Sequence, residues 1–226
     1  GISAQGCVIR IGAMTTEREL IVSALLQKHL PLLPEAAQLI ADPQVRNRGT
    51  IGGDIAHGDP GNDHPAIMMA LDATFVLQGP SGERQVKAVD FFHGTYMTAL
   101  AENEILTAIL ITPPSAGTGY AYQKLKRKTG DWATAGAAVL LRMSAGVVTQ
   151  AAIGLTNVAP TALRARAAEA ALVGKPVTDA TLDAVGKLVR AQCAPAEDLR
   201  GDIEYKTAMA GEMTQRAIRA AAARCA

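Results

Sequence analysis

Between Arg46 and Ala66 the chain reads RNRGTIGGDIAHGDPGNDHPA, with five glycines, two prolines and three aspartates between two apolar, helix-like stretches. Each glycine gives up more backbone freedom on folding than any other residue, so glycine at this density reads as a loop. Two readings are open. One is a long surface turn. The other is a cradle in which successive backbone N–H groups point into one concavity and hold a phosphate. The run GTIGGD offers Gly49, Gly52 and Gly53, with the Thr50 hydroxyl beside them. Neither GxGxxG nor GxxxxGK[ST] is present, which disfavours a simple Rossmann domain or a nucleotide hydrolase. The local residues leave turn and cradle equally open.

Around this stretch the pattern is α+β in two units. A strand is expected over 7–14 with no lead-in. A helix then opens on the capping box Thr16/Glu19 and is carried by Leu20, Ala24 and Leu25 until Pro31 and Pro34. A short helix over 35–41 ends at Asp42-Pro43. Pro65 suits the first position of a helix PAIMMALDA. TFVLQG and RQVKAVD flank PSGE as a β-hairpin, and EILTAILI is a strand stopped by Pro113 and Pro114. PPSAGTG reads as a linker, which divides the chain into 1–115 and 116–226. Beyond it, GYAYQKLKRK, ATAGAAVLLRMS and VVTQAAIGLTNVA predict an antiparallel sheet, although the alanines opening the second also suit a helix. PTALRARAAEAALVG, TDATLDAVGKLVRAQCA and YKTAMAGEMTQRAIRAAAARCA predict helices. The last carries Met209, Met213, Ala217 and Ala221 at four-residue spacing.

The totals exclude several function classes. Hydrophobic residues make up 49% but aromatics only 4%, so the core is mostly Ala, Leu, Ile and Val. A net charge of +1 leaves no electrostatic footprint for nucleic acid or an anionic membrane. Cys7, Cys193 and Cys225 are far apart and form no CxxC pair, which fits reduced thiols and gives no zinc or iron–sulfur pattern. No apolar run approaches the ~20 residues of a membrane span. There is no GxSxG nucleophile and no HExxH, so neither a catalytic residue nor a metal ligand set stands out. His57 and His64 flank the glycine stretch, and solvated loop positions are the simpler account of both. In KLKRK, Lys124, Lys126 and Lys128 would share one face of a strand, as an exposed face or a lysine-protected edge. Trp132, the one tryptophan, reads as a core anchor sooner than a ligand stacker.

The motifs IGAMTT, IADPQVRNRGTIGGDIAHGDPGNDHPA, EILTAI, GYAYQKLKRKTGDWATA, IGLTNVA and EYKTAMAG, in this order, resemble one family over essentially the whole chain. It is the flavin-binding medium subunits of the molybdenum hydroxylases (the xanthine dehydrogenase family), nearest to those of aerobic carbon monoxide dehydrogenases. The resemblance implies a PCMH-type FAD-binding domain over 1–115, lacking its first subdomain. A C-terminal domain over 116–226, like that of carbon monoxide dehydrogenase flavoproteins, would follow. FAD is the implied cofactor. Thr50, Ile51, Gly52, Gly53 and Asp54 are similar to the family's second flavin loop, along the pyrophosphate and ribityl chain. Asp63 matches a carboxylate that bonds the ribityl region, and Leu106 an apolar neighbour of the isoalloxazine. Lys124 matches a flavin-proximal lysine whose charge would favour reduced, anionic flavin. Trp132 matches an aromatic beside the ring, usually Tyr. Asp54 stands where Asn or Ser is usual, which implies contact with a ribose or ribityl hydroxyl. The family's first flavin loop, an AGGHS type, lies upstream of IGAMTT, so a chain opening at Gly1 reads as a fragment.

The implied partners are a large molybdopterin subunit, where substrate is oxidised, and a small 2Fe-2S subunit, assembled as a dimer of heterotrimers. Electrons would pass from the clusters through FAD to an external acceptor. The implied location is cytoplasmic, with the inner face of the membrane as an alternative. Two other accounts stay open: the same role in an aldehyde, purine or N-heterocycle dehydrogenase, and a scaffold fragment that binds no flavin.

Overall fold

A computed structural model describes residues 1–225. Strand β1 (Ile2–Gln5) turns through Gly6, whose φ of 60° suits glycine, into β2 (Val8–Gly12). The expected strand over 7–14 thus has a lead-in after all, its hairpin partner β1. Helices α1 (Glu17–Val22), α2 (Ala24–His29), α3 (Leu32–Leu39) and α4 (Pro43–Arg46) follow. The Thr16/Glu19 capping box forms as expected. The single helix expected after it is two, because the Ser23 hydroxyl accepts from Leu26 N and starts α2. Pro31 and Pro34 do not leave a gap before 35. They occupy the N-cap and first turn of α3, where a missing N–H costs nothing.

The glycine stretch is not a loop. It forms α5 (Ile51–His57) and the start of α6 (Asp63–Ala70). Thr50 caps α5 through its hydroxyl, and Gly58 ends it in the left-handed region at φ 66°. Pro65 is the third residue of α6 rather than the first. Gly52 has a packing reason. Its N–H donates to Ala13 O at 2.9 Å, just past β2. A Cβ there would lie 2.7 Å from Ala13 Cα and O. Gly52→Ala is therefore expected to lower unfolding stability by about 1–3 kcal/mol, read from urea unfolding. Gly53→Ala, whose Cβ would face the Thr50 hydroxyl at 3.0 Å, is expected to cost less.

Strands β3 (Thr74–Gly79) and β4 (Gly82–Lys87) form the expected hairpin. The short pair β5 (Phe92–Gly94) and β6 (Met97–Thr98) lies between them and β7 (Ile105–Ile111). The first sheet has the order β1-β2-β7-β3-β4, antiparallel throughout. After the segment 112–118 come β8 (Gly119–Leu125), β9 (Ala135–Ser144), β10 (Val147–Thr156) and β11 (Leu163–Arg164). They make a second antiparallel sheet, β11-β10-β9-β8, followed by α7 (Arg166–Leu172), α8 (Asp179–Gln192) and α9 (Ile203–Ala222). The alanine-rich start of β9 is strand and not helix. Residues 135–139 are all buried, between α9 and α6, and small side chains suit a strand covered on both faces.

Each sheet has its own apolar cluster, and α6 bridges the two. It rests on β10 so closely that a Cβ on Gly154 would strike the Ala66 carbonyl. This contact carries the residues at the start of α6 to the face of the second sheet. Among the described residues no helix is long and apolar enough to cross a membrane.

Candidate functional site

The first turn of α5 leaves no open nest of amides. Ile51 N donates to Thr15 O at 3.0 Å, Gly52 N to Ala13 O at 2.9 Å, Gly53 N to the Thr50 hydroxyl at 3.2 Å and Asp54 N to Thr50 O at 3.0 Å. Gly52 and Gly53 therefore do not act through free N–H groups, as the cradle reading of the sequence had it. They let the helix lie against strand ends and keep its outer side low, since Gly53 is exposed.

Along α5 the next side chain is Asp54. Among the described residues its Oδ2 is buried without a partner. Burial pushes the carboxyl up to about 7, with His64 opposing and Glu17 and Asp63 reinforcing the rise. An acid poised this way carries its proton about half the time at neutrality, and in that form it can donate to a hydroxyl oxygen. Asn62 anchors the turn beyond α5 by donating from Nδ2 to Asp54 O at 2.7 Å.

Asp63 opens α6 and meets β8. Tyr122 and Lys124 lie two residues apart, so they share a face of that strand. The Tyr122 hydroxyl donates to Asp63 Oδ1, and Lys124 Nζ donates to Asp63 Oδ2 at 2.7 Å. The Lys124 side chain is 1% exposed. Lys126 Nζ also turns inward, donating to Leu39 O at 2.9 Å. Its ammonium is held below the usual lysine range by burial and then by Lys124 beside it. The lysine run is thus no solvated face, although Lys128 is exposed. Because Asp63 pairs with Lys124, the site receives a neutralised pair rather than the bare positive charge expected at Lys124.

Trp132 closes this space. Its indole N–H donates to Asn62 Oδ1 at 3.3 Å, and the residue is 47% exposed, so it is not a core anchor. Asp54, Asp63, Lys124 and Trp132 line one pocket of about 270 Å³, together with Ile40 and Gly130. Four of the expected site residues, from α5, α6, β8 and the loop after β8, are brought together here. Thr50 sits at the head of the same helix as Asp54. The Ile51 side chain is fully buried in the first core, leaving its backbone for any contact. Leu106 is nearly buried on β7, paired across from Leu77, and does not line this pocket.

Sequence reasoning missed four participants. His64 is not a solvated loop residue. It is fully buried, with Nε2 2.9 Å from Glu17 Oε2. Burial alone would hold its imidazolium down, but the Glu17 carboxylate overrides this and raises it to about 9. Tyr122 was legible from strand alternation with Lys124. Asn62 and Glu17 carried no such signal.

The comparisons with known proteins agree with one another. The model of the FAD binding domain in molybdopterin dehydrogenase matches residues 1–114. That of the CO dehydrogenase flavoprotein C-terminal domain matches residues 120–221. The carbon monoxide dehydrogenase medium chain of Hydrogenophaga pseudoflava is 60% identical over 226 residues, covering 100% of this chain and 79% of that one. The corresponding chain of Afipia carboxidovorans is 53% identical, covering 99% and 78%. The solved carbon monoxide dehydrogenase of H. pseudoflava that lacks the Mo-pyranopterin moiety superposes with a TM-score of 0.98 at 64% identity, over 100% of this chain and 79% of that one.

Proposed function

Because the chain belongs to the FAD-binding medium subunits of the molybdenum hydroxylases, we propose that it is the electron-transfer subunit of an enzyme that oxidises carbon monoxide. Its division at 115/116 into an FAD-binding domain and a C-terminal domain is part of this reading. FAD, when bound, would supply the redox chemistry that links iron–sulfur clusters of a small partner subunit to an external acceptor. Substrate is oxidised on a large molybdopterin subunit, and two such heterotrimers pair. High identity to two carbon monoxide dehydrogenase chains supports this substrate over an aldehyde or N-heterocycle.

The observation that carries the reading is the convergence of Asp54, Asp63, Lys124 and Trp132 on one pocket, with Asp54 Oδ2 buried and unpartnered there. The donor set fits a polyol-bearing cofactor. Asp54 offers a proton to a ribityl or ribose hydroxyl. The Asp63 carboxylate, fixed by Tyr122 and Lys124, retains lone pairs to accept one. Trp132 presents an aromatic surface at the pocket edge. Thr50 to Gly53 offer a low backbone surface along which a pyrophosphate can approach, with Ile51 contributing main chain only. Leu106 acts through the core behind them. The residues of this chain bind and orient; no proton or nucleophile of theirs is needed for the oxidation itself.

FAD titration of the purified protein, followed near ~450 nm, tests the reading. Gly53→Val places a branched side chain on the exposed side of α5. It is expected to weaken FAD binding about 10-fold or more, while Gly53→Ala, which sets the same Cβ against the Thr50 hydroxyl at 3.0 Å but adds no branch, should weaken it far less and serves as the stability control. A wild-type protein that takes up no FAD even within its complex refutes the function. Unchanged affinity in Gly53→Val refutes the role of this backbone.

A further inference from the structure

Trp132 is shared by two pockets. One is the site above. The other, of about 470 Å³, lies between His57, Tyr96, Asn157 and Arg200. The indole is half exposed, so burial alone does not hold it. Specific contacts do. Gly61 lies against the ring, where a Cβ would come within 3.0 Å of Trp132 Cδ1. Trp132 N donates to Asp131 Oδ1 at 2.9 Å. The Arg200 guanidinium carbon stands 5.4 Å from the ring centroid, within cation–π range.

Arg200 is itself clamped. Its Nε donates to Asp131 Oδ1 at 3.0 Å, its Nη1 to Asp198 Oδ2 at 3.3 Å, and its backbone N to Asp198 Oδ1 at 2.8 Å. Both carboxylates are anchored from behind. Arg127 Nε donates to Asp131 Oδ2 at 3.0 Å. Lys206, 1% exposed on α9, reaches Asp198 Oδ2 at 2.9 Å. These partners hold both carboxyls below the usual range against the opposing effect of burial. A planar fork can bridge two carboxylates and still lie over a ring; an ammonium cannot do both.

We propose that Arg200 is a positioning residue of the cofactor site, clamped by Asp131 and Asp198 so that it holds Trp132 as the partition between the two pockets. The inference rests on the reading of Trp132 as a flavin neighbour. It assigns the segment between α8 and α9, remote in sequence, a part in shaping the site.

Nanosecond anisotropy decay of Trp132 emission tests the clamp without any turnover, with Trp132→Phe protein as the blank. In Arg200→Ala the amplitude of the fast local component is expected to rise about two- to fivefold, the loss of one cation–π contact. Arg200→Lys should fall between, restoring charge but not the fork. Should Arg200→Ala fail to fold, Asp131→Asn and Arg200→Lys carry the test, each with a smaller rise. Unchanged amplitude in the folded variants overturns the clamp, and a change in melting temperature alone does not rescue it. Separately, FAD should quench wild-type Trp132 emission. Absence of quenching overturns the cofactor side of the proposal while leaving the clamp to be judged by anisotropy.

Discussion

Replacing Lys124 with methionine is expected to destabilise the protein by about 3–5 kcal/mol, the cost of leaving one partner of a buried pair uncompensated. The pair qualifies because both side chains are out of water, at 1% and 6% exposure, and Nζ stands 2.7 Å from Asp63 Oδ2. In Lys124→Met the Asp63 carboxylate keeps the Tyr122 hydroxyl as a side-chain donor but loses its counter-charge. Tyr122 cannot replace that charge. Burial and the Asp63 carboxylate hold its phenol proton well above the usual range. The double variant Lys124→Met/Asp63→Leu removes both charges and leaves Tyr122 with Thr156 Oγ1 at 3.2 Å. It should recover most of the loss, so the two substitutions will be strongly non-additive in urea unfolding. Additive losses would show that the ammonium packs as an aliphatic stem and that its charge does nothing for Asp63.

Glu17→Gln is expected to remove a pH dependence of stability that His64 should give the wild type. In the folded protein His64 is raised from 6.5 to about 9, against burial, by the Glu17 carboxylate. A group whose folded pKa is raised contributes stability fully present below its unfolded pKa. That contribution fades as pH climbs through the folded pKa. Wild-type stability should therefore decline between about pH 6.5 and 9 by about 3 kcal/mol, at ~1.4 kcal/mol for each pH unit crossed. Glu17→Gln cannot hold the imidazolium, so its curve should be nearly flat in that window, below the wild type at pH 6 and converging with it near pH 9. Denaturant midpoints at half-unit pH steps read this directly. Asp54, raised chiefly by burial to about 7, has the same sign but acts lower, between about pH 4 and 7; Glu17→Gln removes one reinforcing and one opposing neighbour of it, so the comparison is read above pH 7. A wild-type curve without slope above pH 6.5 would show that the Glu17–His64 contact is not ionic.

Much of the fold was legible because local rules and tertiary packing agree there. The Thr16/Glu19 box, the β3–β4 hairpin, the strand before Pro113 and the four-residue stripe on α9 each follow from spacing that needs no distant partner. The failures are sites where a distant partner reversed a local preference. Glycine-rich α5 is a helix since its amides find Thr15, Ala13 and the Thr50 hydroxyl. Alanine-rich β9 is a strand since α6 and α9 cover both its faces.

The site divides along the same line. The sequence by itself determined which residue types were available, and its motifs marked Thr50 to Asp54, Asp63, Lys124 and Trp132 as candidates for a flavin site. Only the tertiary structure decided what those residues are to one another. It cancelled the charge of Lys124 against Asp63, buried His64 against Glu17, left Asp54 Oδ2 without a partner, and set Arg200 over Trp132. The physical reason is that charge, protonation and orientation depend on distance and burial. Lys124 and Asp63 are 61 positions apart in the chain and 2.7 Å apart in space, and one-dimensional spacing holds no record of that.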